Sequence, residues 1–456
     1  MKAKWLPISA AVALALGSVS ASAVDFHGYM RAGMSYAAQG GSAYCIGHGG
    51  AGHIVGRLGD ECDTYAEIGL SQEVFNKADN KFTVNTLMVW GTKEGNWDTQ
   101  YNPWQGVSAP EVNRTGQDIG QRASLREAYA EYTMPNGASI WAGKRYNQRK
   151  DVHIMDYYYL NNSGYGLGIH NIAAGNLGSL NFDIIKSNPG AFGKEAPEQD
   201  VTINSYKLQA GWRGIPMWTD ASLDIDLIYA WENLDKWQKS KEGGNQHGNN
   251  GFMALVEYTQ GNFFGGFNKL SFTYGSDALD GVGVATWNHE AQWVIPYKQR
   301  GNGYRFLDWG VIEQPSWNLG YAVILTHNDV KNMNDNKDGG SSWTPATGND
   351  YVFVIRPSYK WSDFTSTVLE YGYANLNSAP ANTWNRFDAS KEDRNHRTSL
   401  SKLTIAQQWT PGSNFWARPS IRVFATWMSG KGMDNRNTHL EDNHQIVLGG
   451  QVEAWW

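Results

Sequence analysis

The feature that most constrains this chain is a period of two. In "LDIDLIY", Leu223, Ile225, Leu227 and Tyr229 fall on one face, and Asp224 and Asp226 fall on the other. Ala66, Ile68 and Leu70 oppose Tyr65 and Glu67 in the same way, as Ile421, Val423 and Ala425 oppose Arg418, Ser420 and Arg422. Side chains that change face at every residue belong to β-strands, since a helix would repeat them every three or four positions. The composition agrees: 51 glycines, 13% aromatic residues and only 14 prolines suit a strand-rich chain better than a helical or disordered one.

Alternation alone fits a soluble sandwich as well as a membrane barrel, so the connections have to decide. Short turns, "KADNK" (77–81), "PNG" (135–137), "GNLGS" (175–179), "PSWN" (315–318) and "PGSN" (411–414), alternate with long polar stretches at 234–250, 327–350, 377–400 and 429–444. Short turns at one end and long loops at the other are how an outer-membrane barrel is built. Lipid offers no water to unpaired backbone groups, so strands cross it only in a closed sheet without edges. The length allows roughly 16 to 18 such strands, enough to leave an aqueous channel. The expected fold is therefore all-β, an antiparallel transmembrane β-barrel.

Export is written at the N-terminus. Lys2 and Lys4 precede an Ala/Leu/Val stretch and Ala21-Ser22-Ala23, the form of a signal peptide cut before Val24. Residues 1–23 are thus expected to be a signal peptide and 24–456 a single outer-membrane barrel domain. Without Lys2 and Lys4 the formal charge moves from −6 to about −8, which argues against a nucleic-acid partner. Cys45 and Cys62, the two cysteines, suit one disulfide in an oxidising compartment, two buried thiols being the alternative.

A plain pore needs only polar residues inside, so large aromatics that share a face with charges carry information. Phe26, Met30, Ala32 and Met34 form a lipid face in "VDFHGYMRAGMSY", which puts His27, Tyr29 and Arg31 inside. By the same parity Tyr65 goes with Glu67, Phe267 with Lys269, Trp416 with Arg418, and Trp455 with Glu453. Trp456, on the apolar parity with Val452 and Ala454, belongs to an interfacial aromatic girdle. An aromatic face in water gains when the C–H face of a pyranose slides over it, and the sugar's hydroxyls find partners in Arg, Asp and Glu. One segment, "RYNQRKDVHIMDYYYLNNSGYG" (145–166), is too rich in charge and tyrosine for an ordinary loop. It is expected to fold into the lumen and narrow it. His153 with Asp156 also admits a metal or acid/base reading, but no third ligand or nucleophile accompanies them.

These residues resemble a known family. "VDFHGYMRAG", the loop between Cys45 and Cys62 with "RLGDECDTYAE", "IWAGKRYNQRKDVHIMDYYY", "GFNK", "IRPSYKW", "LTIAQQW", "FWARPSIRVFAT" and the terminal "WW" together are similar to the maltoporins, over the whole chain after the signal. The resemblance implies an 18-stranded barrel with an inward-folded constriction loop, assembled as a homotrimer. It implies ion passage and facilitated diffusion of maltose and maltodextrins, with no cofactor. Carried over residue by residue, the aromatic slide falls on Tyr29, Tyr65, Phe267, Trp416 and Trp455, with Trp97 of "GNWD" reaching into a neighbouring subunit's channel. The polar track falls on Arg31, Arg57, Glu67, Arg126, Arg149, Asp151 and Asp156, and the constriction tyrosine on Tyr158. Arg149 and Tyr158 favour maltodextrin over sucrose. Partners on this reading are the oligosaccharides, outer-membrane lipid, the other two subunits and a periplasmic sugar-binding protein.

Leu160 and Asn161 stand where the family pattern has Trp and Asp, so one polar contact and the width just past Tyr158 are expected to change. The outer loops around 187–200 and 429–444 are shorter than in well-known members, so phage-receptor roles are not carried over. Two other readings remain: a general porin or one for another carbohydrate, such as sucrose or a β-glucoside, and a glycan hydrolase using Asp224 and Asp226 or Asp151 and Asp156. Alternate residues of one strand point the same way and do not flank a bond. No Gly-x-Ser-x-Gly or His-Glu-x-x-His occurs either, so an enzyme is not expected.

Overall fold

The computed structural model describes residues 23–40, 43, 53–61, 63–93, 122–187, 204–236, 239, 250–284, 299–332, 346–377, 398–430 and 444–456. Residues 1–22 of the expected signal peptide, Cys45, Cys62 and Trp97 therefore lie outside the described residues. Among the described residues, twenty strands follow in chain order. They are β1 (Asp25–Ala37), β2 (Asp63–Lys77), β3 (Asn80–Lys93), β4 (Arg122–Thr133), β5 (Ser139–Arg145), β6 (Lys150–Val152), β7 (Tyr157–Leu160), β8 (Gly164–Ala173), β9 (Ser179–Ser187) and β10 (Asn204–Pro216). The remainder are β11 (Ala221–Asn233), β12 (Gly251–Phe263), β13 (Gly266–Asp277), β14 (Gln299–Glu313), β15 (Trp317–Asn332), β16 (Ala346–Lys360), β17 (Thr365–Leu376), β18 (Thr398–Trp409), β19 (Ser420–Gly430) and β20 (His444–Trp455).

All but β6 and β7 form one 18-stranded antiparallel sheet in which each strand pairs with its neighbours in the chain. The sheet closes where β1 meets β20, Tyr29 opposite Trp455 and Arg31 opposite Glu453. Closure satisfies both edges, and alternation then fixes which side chains see each environment. Outward positions carry exposed Met34, Leu227, Tyr229, Phe272, Phe306, Ile421 and Val423. Inward positions of the same strands carry buried Arg31, Asp226, Thr273, Arg305 and Arg422. Trp456 turns outward at the rim, its ring 5.7 Å from Phe26 and lying over Gly28, where a Cβ would strike it. Near the short turns Trp218, Phe264, Trp317, Trp361 and Phe364 are also exposed, a girdle at one interface.

Apolar residues also line part of the inner wall, because connecting segments lie against it. Ile154, Met155, Tyr157, Tyr159 and Leu160, from the connection between β5 and β8, form one buried cluster with Ile228, Met253, Leu307, Ile324 and Val354 of the strands. The short β6–β7 hairpin lies in that connection. Between β1 and β2, residues 53–61 lie against β16 to β19, and a Cβ on Gly372 would collide with the Val55 carbonyl. The two segments bond to each other, His53 N–H to the Met155 carbonyl at 2.7 Å and Arg57 N–H to that of Ile154 at 3.0 Å.

Candidate functional site in the lumen

Residues 146–163 hold to the wall through one face. Lys150 Nζ lies 2.8 Å from Asp224 Oδ2 and 2.9 Å from Glu257 Oε1, and Tyr159 donates its hydroxyl to Glu257 Oε2 at 2.5 Å. Arg305 donates to the Tyr157 hydroxyl at 3.1 Å and to the Tyr159 carbonyl. Arg356 Nη2 donates to the Ile154 carbonyl at 3.2 Å. Asn147 and Asn162 close the base of the segment by a backbone bond of 3.1 Å. Buried charges this close are held by paired and mutually satisfied bonds.

The other face carries the chemistry. Asp156, in left-handed geometry at φ 48°, accepts from Arg31 Nη1 at 3.1 Å. Burial pushes the Asp156 carboxyl up, but Arg57 and Arg31 outweigh it and hold the group well below the usual carboxylate range. Arg57 Nη2 donates to the Tyr29 hydroxyl at 2.6 Å and lies 3.0 Å from Glu453 Oε1. Glu453 Oε2 also takes Arg418 Nε at 2.9 Å and Arg422 Nη2 at 3.1 Å. A second group forms around Glu67, which accepts from the hydroxyls of Tyr65 and of Tyr146, the latter at 3.0 Å. Beside it the Arg149 guanidinium stands 4.0 Å from the Tyr146 ring and 4.3 Å from that of Tyr158, and donates to the Tyr158 hydroxyl. Asp151 pairs across the hairpin with Tyr158 through the backbone. Arg126 sits at a bulge of β4 against β3, with its side chain buried.

Five rings expected from the sequence lie near one another in two contacting pairs and Trp455, with His153 between Trp416 and Trp455. Phe267 and Trp416 are stacked, 6.4 Å apart with planes at 23°. His153 stands 5.0 Å from Trp416 and 5.6 Å from Trp455. Trp455 is the strand partner of Tyr29, and Tyr29 lies 6.1 Å from Tyr65. The guanidiniums of Arg418, 4.2 Å from the Trp455 ring, and Arg31, 5.3 Å from that of Tyr65, stand along the row. An aromatic strip is thus bordered by fixed donors and acceptors.

Two expectations need correction. Trp416 and Arg418 are not on a strand, because β19 begins at Ser420. They belong to the connection from β18, where Phe415 N–H bonds Glu313 Oε2 at 3.0 Å and Trp416 N–H bonds Asn414 Oδ1 at 2.9 Å. Those bonds, not strand parity, aim Trp416 inward. Leu160 and Asn161 do not border the lumen. Leu160 is fully buried against the wall, and Asn161 Oδ1 accepts the Ser163 hydroxyl at 2.6 Å and its N–H at 3.2 Å. Both residues are buried within the loop's own packing.

Sequence reading missed several participants. Glu61 accepts from Arg57 Nε at 2.6 Å and Arg31 at 3.3 Å, and only the charge density of "RLGDECD" hinted at it. Phe415 packs edge-on against Trp416 at 4.9 Å. His153 enters as a ring of the row. Burial, then the nearby Arg57 charge, holds its imidazole well below the ordinary range. Arg418 Nη2, 3.4 Å from Nε2, is only a donor, so the neutral ring presents a lone pair there.

Comparison with known proteins identifies the family. A curated maltoporin from Photobacterium profundum is 29% identical over 470 residues, spanning 99% of this chain and 98% of its own. Among solved structures, Acinetobacter baumannii OccAB1 has a TM-score of 0.48 at 10% identity, covering 96% of this chain and 99% of its own. Pseudomonas aeruginosa OccK8 (OprE) has 0.47 at 10% identity, covering 95% and 98%. The family model described as LamB porin matches residues 24–456, nearly the entire chain. The protein is a channel-forming outer-membrane barrel, not an enzyme, and it belongs to the LamB porin family.

Proposed function

We propose that this porin carries maltose and maltodextrins across the outer membrane by facilitated diffusion. The single observation that carries the reading is the set of rings Phe267, Trp416, His153 and Trp455, with Tyr29 opposite Trp455 on the next strand and Tyr65 beside it, along Arg31, Arg418 and Glu453. A glucosyl ring has an apolar face for each aromatic and a rim of hydroxyls for the charged groups. As a chain advances by one ring, every hydroxyl exchanges one ionic partner for the next, so no hydrogen bond is lost before another forms. Binding must stay weak and distributed, near millimolar or about −4 kcal/mol in total, because a tight site would trap the sugar.

Arg31, Arg57, Glu67, Arg126, Arg149, Asp151 and Asp156 supply the polar track in this reading, and Tyr158 the narrowest point. A relative that matches nearly the whole chain is a maltoporin, which favours α-glucans over sucrose or β-glucosides. The protein works as a homotrimer in which Trp97 serves the neighbouring channel. It is exported by residues 1–23, braced by a Cys45–Cys62 disulfide, and passes sugar to a periplasmic binding protein. Reconstituted trimers in a planar bilayer test the proposal: maltohexaose should block ion current saturably and more tightly than sucrose. An absence of block would leave a general porin whose inner rings are packing props.

A further inference from the structure

A third inward segment, residues 278–284, leaves β13 and lies on the inner wall near the long-loop end. It sits flush because the wall is glycine there. A Cβ on Gly251 would come within 2.7 Å of the Ala278 and Leu279 nitrogens, and one on Gly275 would strike the Leu279 carbonyl. One on Gly303 would strike the Asp280 carbonyl, Asn328 Oδ1 and a Val282 methyl, so the two oxygens lie close to one another beside that methyl. The segment turns tightly, with Asp280 N–H on the Asp277 carbonyl at 3.1 Å and Val282 N–H on the Asp280 carbonyl at 2.8 Å.

The polar groups beneath the segment differ sharply in how they are satisfied. Asp350, fully buried, accepts from Val284 N–H at 2.9 Å, Thr326 Oγ1 at 3.0 Å and Asn377 N–H at 2.9 Å. Asp280 and Asn328 are equally buried, yet among the described residues neither carboxylate oxygen of Asp280 and neither amide atom of Asn328 has a hydrogen-bond partner. A buried polar group without a partner loses its hydration and regains nothing, and for a carboxylate that loss is heaviest. Two adjacent residues left so, in a wall that elsewhere pairs its charges, need a partner that is not a side chain.

We propose that Asp280, Asn328 and the Asp280 carbonyl, with the Asp277 carboxylate adding charge, form a calcium site that pins residues 278–284 to the wall of β13–β15. The donor set is all oxygen and mixes carboxylate, amide and backbone carbonyl, which suits calcium. Magnesium asks for a tighter octahedron and keeps its waters. With two carboxylates and an exterior-facing position, the affinity belongs in the range of about 10⁻⁴ to 10⁻³ M of extracellular modules.

The test uses the full trimer in detergent, stripped with EDTA and then titrated with CaCl₂ or MgCl₂ while thermal unfolding is followed by circular dichroism. Calcium at about 10 mM should raise the midpoint by a few degrees, magnesium by less, and EDTA should reverse the gain. Asp280→Asn should remove the calcium response, and Asn328→Ala should shift its half-point to higher concentration by about tenfold. Calorimetric titration should count one fewer calcium per subunit in Asp280→Asn than in the parent, even if that variant melts early. An unchanged count in Asp280→Asn, or no calcium response in the parent, overturns the proposal.

Discussion

Three consecutive tyrosines show how the two faces of one loop divide their work. Tyr157 and Tyr159 are fully buried, gripped by Arg305 and Glu257 against the barrel wall. Tyr158, between them, turns the other way and stands over Arg149 beside the lumen. The hairpin makes this division, since residues 157–159 alternate faces as strand residues do, and a register shift against Lys150 and Asp151 then keeps Leu160 on the buried side. The anchored face uses buried ion pairs and apolar packing, which hold position. The other face carries Tyr158, Arg149 and Asp156, whose rings and charges bond to one another and to Arg31. A pore needs both, because a constriction built on a mobile segment would not keep its width.

The comparison breaks most severely at its anchor. Glu257→Ala takes from Lys150 one of its two carboxylates, Asp224 remaining, and from Tyr159 its acceptor, and should cost about 3 kcal/mol in lost bonds to a buried charge. Thermal unfolding in detergent should show the loss, and single-channel recordings should become noisier and larger. On the open face, Trp416→Ala removes a stacking platform worth roughly 1.4 kcal/mol, so maltohexaose block should weaken about tenfold at nearly unchanged conductance. Unaltered block would take Trp416 out of the sugar path. Tyr158→Ala should raise open-channel conductance with stability within roughly 1 kcal/mol of the parent. A stability loss as large as that of Glu257→Ala would mean that Tyr158 is an anchor after all.

The smallest effect expected is none. His153 stays neutral because burial and Arg57 hold its pKa well below the ordinary histidine range. Its proton would enter only as the medium becomes distinctly acid. Sugar block should therefore be flat between roughly pH 8 and 5. A fall in affinity centred near pH 6 would show an exposed imidazole.

Strand faces were legible because period two needs no partner to be seen: Tyr29, Tyr65, Phe267 and Trp455 could be placed from their own neighbours. Trp416 was placed inside for a reason that did not hold, because the residues before Ser420 are a turn and not a strand. Glu61 and Phe415 sit in connections whose course is set by bonds to distant residues, and Glu313 lies 102 positions before Phe415. Leu160 looked like a change in the lumen, and its burial on the anchored face could be known only from where the hairpin docks.

By itself the sequence determined the alternation, hence the two environments of the sheet and the need to close it, because parity is a local property of the backbone. It also placed the rings that share a face with charge. Only the tertiary structure decided that residues 53–61, 146–163 and 278–284 lie against the inner wall, which rings become neighbours, and which of three adjacent tyrosines meets the lumen. Those outcomes depend on bonds between residues hundreds of positions apart, such as Lys402 with the Gly56 carbonyl, and no periodicity encodes them.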